Sequence, residues 1–185
     1  MIETDQWEVG KTGLPLEAPR PLAKQTAIVS HSRPLMKQQA SVKIDRPIDE
    51  VFEYTNNEVA EWSLTVVEHE VLEELPQDIG STFRCLTEDR GRQMEFHGVV
   101  TRHEPPRVSA SRLTGEYFDI DVEYRFEEFG DTTRVTQQST VFPKGALKVV
   151  FWLFGWMMRK SSCKAAEKEM QNLKRLLEQQ PARPR

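Results

Sequence analysis

Cysteine and surplus positive charge are both scarce in this sequence. Its 185 residues include two cysteines, Cys85 and Cys163, too few and too far apart for a disulfide framework or a zinc site. This favours a reducing compartment, and we expect a cytoplasmic protein. With 25 basic and 29 acidic residues the net charge is −4. Nucleic acid is therefore not an expected partner, because no basic surplus exists to neutralise its phosphates.

Long hydrophobic runs are lacking as well. The most apolar stretch, residues 146–158, has eleven apolar residues out of thirteen, which is too short for the ~20 residues of a membrane-spanning helix. The first ten residues are acidic rather than a basic flank before an apolar core, so no signal peptide is expected. The remaining composition, 38% hydrophobic and 29% charged, is typical of a globular protein with one domain.

Three regions are predicted along the chain. Residues 1–36 contain four of the eleven prolines and no periodic apolar pattern, which predicts a disordered N-terminal arm. An arm that binds a partner through Trp7 is the alternative. Periodic patterns occupy residues 37–179, which predicts one folded domain followed by a frayed tail, residues 180–185.

Seven strands and two short helices are predicted before a long helix. Alternation from residue 38 predicts the first strand, and Pro47 with Asp49 and Glu50 is typical of a helix start. A further helical turn over residues 58–62 precedes six strands that are separated by turn residues. These strands are predicted over residues 64–75, 81–87, 93–103, 108–114, 117–127 and 132–142.

The last element is a long helix, predicted over residues 146–179. Its apolar residues, among them Ala165, Met170, Leu173 and Leu177, recur mostly at steps of three or four. An antiparallel sheet must bury its dry face, and this helix is the only long apolar element that can cover it. The pattern therefore predicts an α+β fold, in which a sheet of about seven strands curls around the C-terminal helix.

Six segments carry a resemblance to a known superfamily. They are VKIDRPIDEVFEY at 42–54, Trp62, GSTFR at 80–84, VVTRHEPPR at 99–107, YRFEEFGDTTRVT at 124–136 and EMQNLKRLLE at 169–178. In order and spacing they resemble the START-like (SRPBCC) superfamily, and within it the polyketide cyclase/dehydrase and lipid-transport-like branch. The resemblance covers about 140 residues and implies the helix-grip fold. It implies no single function, because this fold serves carriers, cyclases, dehydratases and chaperone activators.

What the resemblance implies chemically is a ligand cavity between the curled sheet and the long helix. In the family's register Met94, Phe96 and Val100 face this cavity, and Gly98 leaves room between them. A filled core is the alternative interpretation of the same side chains. The residues expected to bind a ligand are Phe83, Met94, Phe96, Val100, Phe118, Ile120, Val122, Tyr124, Gln137, Ser139, Phe151 and Phe154.

Two polar side chains interrupt this apolar wall. On the last strand, alternation places Gln137 and Ser139 on the inner face. Buried polar groups need partners, so these side chains bond to each other, to Tyr124 or to water, or they orient a carbonyl or hydroxyl group of a ligand. A register slip of one residue would put Thr136, Gln138 and Thr140 in their places.

The sequence offers no convincing catalytic or metal-binding constellation. Its four histidines show no HxH or HExxH spacing, so no metal is expected, and no glycine-rich loop predicts a nucleotide or another cofactor. His97 and Glu95 share a face, which suits either an acid–base pair or a surface contact. No nucleophile is assigned, and no titrating side chain is visible for the inside of the cavity.

The start of the long helix is apolar on every side. Phe151, Trp152, Phe154 and Trp156 point in four directions, because a helix has about 3.6 residues per turn. One sheet covers only part of that circle. We therefore expect Trp152 or Trp156 at an exposed patch near the cavity mouth, serving ligand uptake, peripheral membrane contact or a homodimer.

Three functions are compatible with these features. The first is binding, and with it transport, of an apolar small molecule such as a lipid, quinone or polyketide-like compound. The second is a polyketide cyclase or dehydratase, which needs a titrating group in the cavity. The third is a membrane-associated or partner-associated module that uses the apolar helix start. We expect the first, without catalysis, because it needs only a cavity.

Overall fold

The computed structural model describes residues 36–89 and 91–181, except for the side chains of Met36 and residues 150–162. The predicted arm therefore lies outside the described residues, apart from the backbone of Met36, and so do residues 182–185 of the predicted tail. The elements in chain order are β1 (Met36–Ile44), α1 (Ile48–Asn57), α2 (Val59–Trp62), β2 (Val66–Glu73), β3 (Thr82–Asp89), β4 (Arg92–Glu104), β5 (Val108–Gly115), β6 (Phe118–Phe129), β7 (Thr132–Pro143) and α3 (Leu147–Gln179).

The seven strands form one antiparallel sheet in the order β1-β7-β6-β5-β4-β3-β2. The first two strands of the chain are thus its opposite edges, and α1 and α2 connect them. The five strands between the edges are joined to their neighbours by short turns, as the turn residues predicted. A curled sheet with a long C-terminal helix and two short helices is the helix-grip fold, so the predicted α+β architecture is confirmed.

The tightly packed core lies between the sheet, α1 and the C-terminal half of α3. From α3 come Ala166, Met170, Leu173 and Leu177, which are spaced by three or four residues and share one side of the helix. The predicted Ala165 is exposed instead, because Ala166 is the residue that lies four positions before Met170. The other buried members of this core are Ala40, Val42, Ile44, Ile48, Val51, Phe52, Tyr54, Trp62, Phe126 and Val135.

Arg46 and Glu178 fasten the end of α3 to the turn after β1. The Arg46 guanidinium donates to the carbonyl oxygens of Glu178 and Gln180, at 3.1 and 2.6 Å, which the helix leaves unpaired at its end. The Glu178 carboxylate accepts from the Asp45 N–H at 2.9 Å and pairs with Lys174 at 2.6 Å. Burial alone would raise the pKa of Glu178, but these partners outweigh it and lower the pKa.

The N-terminal half of α3 begins at Leu147, shortly after β7. Phe151, Trp152, Phe154 and Trp156 belong to this half, and their side chains lie outside the described residues. The expectation that Trp152 or Trp156 is exposed therefore stays a prediction. In the part of the chain that the structure describes, no helix combines the length and the apolar character needed to cross a membrane.

Candidate functional site

The concave face of the sheet is built from alternate residues of each strand. Its orientation follows from Val135 and Phe126, which are paired across β7 and β6 and are both buried in the core. The same face of β7 then carries Gln137 and Ser139, opposite Tyr124 and Val122. The predicted register is thus present, and the one-residue slip that would bring Thr136, Gln138 and Thr140 inward is absent.

Burial divides this face into two ends. Near the C-terminal half of α3, side chains such as Ile44 and Val135 are 0% exposed. At the other end most of the large inward side chains are only half-buried. Half-buried among the expected site residues are Phe83, Met94, Val100, Phe118, Ile120, Val122, Tyr124 and Gln137, whereas Phe96 and Ser139 are buried and Phe151 and Phe154 have no described side chains.

Two phenylalanine rings cover glycines of the neighbouring strands. Phe83 faces Gly98 across β3 and β4, and a methyl group at Gly98 would overlap the Phe83 ring. Phe96 likewise faces Gly115, where an added methyl carbon would lie 2.6 Å from the ring. The sequence led us to expect that Gly98 leaves room for a ligand, and the structure shows that this is wrong. Gly98 accommodates Phe83, whose ring becomes part of the wall.

Tyr124 lies where the packed end meets the half-buried end. Its ring contacts that of Trp62 edge-on at 6.1 Å between centroids, and its hydroxyl accepts a hydrogen bond from the Gln137 amide at 3.2 Å. Burial, and to a smaller extent the Glu169 carboxylate, raise the pKa of Tyr124. The phenol therefore stays protonated and can donate a hydrogen bond at neutral pH.

Several polar atoms around Tyr124 have no hydrogen-bond partner among the described residues. They are Oε1 of Gln38, Oγ of Ser109, Oε1 of Gln137 and Oγ of Ser139. Gln38 lies opposite Ser139 on β1, and Ser109 lies opposite Tyr124 on β5. Sequence reasoning named Gln137 and Ser139 but missed Gln38 and Ser109, because a lone polar residue near a strand end gives no sign of which face it occupies.

His69 and Cys85 were also missed as concave-face residues. They are paired across β2 and β3, and the His69 ring stacks against Phe83 at 4.8 Å between centroids. Burial lowers the pKa of His69 and raises that of the Cys85 thiol to about 11. Both groups are thus uncharged at neutral pH. The sequence showed no titrating side chain for the inside because the facing of this strand was ambiguous; in the structure His69 faces inward while Glu68 and Glu70 face outward.

The predicted pair of His97 and Glu95 lies on the opposite, convex face. Its atoms Nε2 and Oε1 are 3.4 Å apart, and His97 is 66% exposed. Glu95 also pairs with Arg84, which binds Glu68 and Glu70 on the same face. The pair is a surface contact within β4, so it brings no acid–base chemistry to the concave face. Within the described residues, no group of His, Cys, Asp or Glu side chains converges as a metal site.

Comparison with known proteins assigns this chain to a family. Residues 36–178 match the family described as Polyketide cyclase / dehydrase and lipid transport. The chain belongs to that family. No curated protein matches the sequence. The resemblance to the START-like superfamily, stated above from the sequence, is thereby confirmed.

Several solved structures share the fold at low sequence identity. The protein TTHA0849 of Thermus thermophilus is 17% identical, with a TM-score of 0.60 over 77% of this chain and 94% of its own. The Zhui aromatase/cyclase of a Streptomyces species is 15% identical, with a TM-score of 0.63 over 77% and 93%. A START superfamily protein of Mycobacterium smegmatis is 17% identical, with a TM-score of 0.56 over 74% and 98%. Identities this low establish the fold alone.

Proposed function

We propose that this family member binds an apolar small molecule between the concave face of the sheet and α3. One observation carries the proposal: apart from Phe96 and Phe126, the large inward apolar side chains of β3 to β6 are only half-buried, whereas those beside the C-terminal half of α3 are sealed. Phe118, Ile120 and Val122 belong to the half-buried set. A folded domain rarely leaves so many large apolar side chains short of burial without using them for binding.

The shape of the wall supports an aromatic or otherwise flat ligand. Phe83 and Phe96 are laid over glycines of the adjacent strands, and Phe96 contacts Phe118 at 5.5 Å between ring centroids. These rings form a continuous apolar surface rather than separate projections. Ring faces and edges of this kind pack well against other rings. A quinone or a polyketide-like compound meets that requirement, whereas a lipid matches only the apolar character of the wall.

Native mass spectrometry of the full chain, purified from its own source, tests whether an apolar compound is retained. A directed test uses Val122→Trp, which fills the concave face, beside Gln138→Trp, which adds the same ring to the convex face one position away in the sheet. With a fluorescent naphthalene probe we expect Val122→Trp to lower the affinity at least tenfold and Gln138→Trp to leave it unchanged. Equal affinities in both variants would contradict the site.

A second candidate function, cyclisation or dehydration of a polyketide-like substrate, is favoured by His69. A neutral imidazole on the concave face can accept a proton, and the Tyr124 phenol can donate a hydrogen bond to a carbonyl oxygen. The test is incubation of the protein with a poly-β-ketothioester analogue. Cyclised product that is lost in His69→Gln, but kept in His97→Gln on the convex face, would support catalysis. Product formation equal to that without protein would favour binding alone.

Three finer parts of the proposal rest on the sequence. They are transport of the ligand, peripheral membrane contact through Trp152 and Trp156, and a homodimer built on the same apolar helix start. All three need those tryptophans at the surface. Replacing both with serine should reduce liposome binding and self-association without changing the far-UV spectrum.

The two cysteines, Cys85 and Cys163, are free thiols, which supports a cytoplasmic location. A fluorescent fusion in the source organism tests this location.

A further inference from the structure

The polar groups of the concave face form two neighbouring cross-strand rows. One row contains Gln137, Tyr124 and Ser109, which are direct partners across β7, β6 and β5. The adjacent row contains Gln38 and Ser139, paired across β1 and β7. We call these five residues the polar rows. They lie among the apolar side chains of the wall, next to the half-buried Val122 and Ile120.

Hydrogen bonding within the polar rows is incomplete. The bond between Gln137 and Tyr124 uses one half of the Gln137 amide, and the other half stays without a partner among the described residues. Ser109 and Ser139 are each 6% exposed, yet their hydroxyls have no described partner. A buried polar atom without a partner is costly. Amides and hydroxyls both donate and accept, so the rows suit a ligand group that also does both.

Charge restricts that group further. No lysine or arginine of the described residues is a cross-strand partner of the polar rows. Arg84, Arg102 and Arg112 pair with carboxylates on the convex face, and Arg92, on the same face as Met94, is exposed at the tip of β4. After burial, the Glu169 carboxylate is the largest influence that raises the pKa of Tyr124, and it accepts a hydrogen bond from Ser63 at 2.5 Å. Among the described residues, an anion placed beside the polar rows would lose its hydration and meet a like charge, with no cation paired across the strands to offset it.

We infer that the polar rows select an uncharged hydroxyl-bearing ligand, such as a phenol or an alcohol, over the corresponding carboxylate. This inference rests on the proposed binding function and deepens it by assigning the chemistry of the ligand's polar end. The hydroxyl lies between Gln137, Ser139 and Tyr124, while the apolar body packs against Phe118, Ile120 and Val122. A ligand without any polar group binds less tightly, because it leaves the polar rows unpaired.

Three probes of one size test this selection at pH 7.5: 2-naphthol, 2-naphthoate and 2-methylnaphthalene. They share the ring system and differ in one substituent. In the unchanged full-length protein we expect 2-naphthol to bind at least tenfold more tightly than 2-naphthoate and severalfold more tightly than 2-methylnaphthalene. Binding is followed by naphthalene fluorescence and by calorimetry.

Neighbouring residues of β7 supply matched variants. Gln137→Leu and Ser139→Ala remove polar groups from the concave face, while Gln138→Leu and Thr140→Ala make similar changes on the convex face. The first two should bring 2-naphthol and 2-methylnaphthalene within twofold of each other, and the last two should keep the parent preference. Thermal melting should show both Gln137→Leu and Ser139→Ala folded, because Ser139→Ala removes an unpaired hydroxyl and Gln137→Leu gives up one hydrogen bond, the one to Tyr124.

The outcomes distinguish failure of this inference from failure of the proposed binding function. Equal or tighter binding of 2-naphthoate than of 2-naphthol would overturn the inference while leaving apolar binding intact. So would an unchanged preference for 2-naphthol in both Gln137→Leu and Ser139→Ala. Binding of none of the three probes would instead count against the proposed function itself.

Discussion

The two ends of the concave face have the same architecture and opposite packing. At one end Ile44, Val135 and Leu173 are 0% exposed, because β1, β7, α1 and the C-terminal half of α3 supply side chains from several sides. At the other end Ile120 and Val122 lie on the same face of the sheet, yet they are half-buried. Inward and outward side chains alternate equally regularly at both ends of the face, so the strand pattern does not decide which end is sealed. The elements that pack against the strands decide it.

The largest expected effect comes from comparing the two ends directly. Leu173→Ala should lower the free energy of unfolding by about 3 to 4 kcal/mol, since it opens a cavity in a sealed core. Ile120→Ala removes a similar volume at the half-buried end and should cost only about 1 kcal/mol, because less buried apolar surface is lost. Urea unfolding of both variants measures the difference. Equal losses would mean that the Ile120 end is a closed core.

A somewhat smaller effect is expected within the half-buried end. Gly98→Ala should destabilise the protein by about 1 to 3 kcal/mol, because the new methyl group displaces the Phe83 ring from the wall. Phe83→Leu removes the ring edge that the methyl group would meet. The double variant should therefore lose less stability than the two single variants together. Strict additivity in this cycle would show that Gly98 is not needed to seat Phe83.

The hydrogen bonds of Glu178 at the C-terminal end of α3 predict that the stability of the protein depends on pH. The pKa of Glu178 is lowered in the folded state, so its stabilisation is present above the ordinary carboxyl pKa and is lost as the pH falls through the lower folded value. Glu178→Gln should cost about 1 kcal/mol at pH 7, from weakened bonds to Asp45 and Lys174. That difference should vanish in acid. A loss that persists at pH 2 would place its cause elsewhere, and Gln179→Glu provides an exposed control.

The smallest effect contrasts the two faces of the sheet. Burial lowers the pKa of His69, so the unfolded chain binds its proton first and stability falls as the pH drops below the ordinary histidine value. His69→Gln should remove a few tenths of a kcal/mol of this acid sensitivity, measured by thermal melting between pH 7 and 5. His97→Gln, on the convex face, should leave it unchanged. Identical behaviour of the two variants would mean that His69 is not buried.

Most of the fold could be predicted, whereas the candidate site could be predicted only in part. The strand bounds differ from expectation by about two residues, because alternation and turn residues are local features. Gln137 and Ser139 were placed correctly on the inner face for the same reason. His69 was not recognised, since β2 has apolar residues on both faces and its register with β3 shifts twice. Such bulges reverse facing without any mark in the pattern.

By itself the sequence determined which segments are strands and helices, their order, and the inner set on β6 and β7, because these follow from periodicities of two and 3.6 residues. Only the tertiary structure decided that Phe83 rests on Gly98, that Gln38 and Ser109 join Gln137 and Ser139, and that one end of the face is sealed while the other is not. These features depend on contacts between residues far apart in the chain, and no local pattern records which residues will meet.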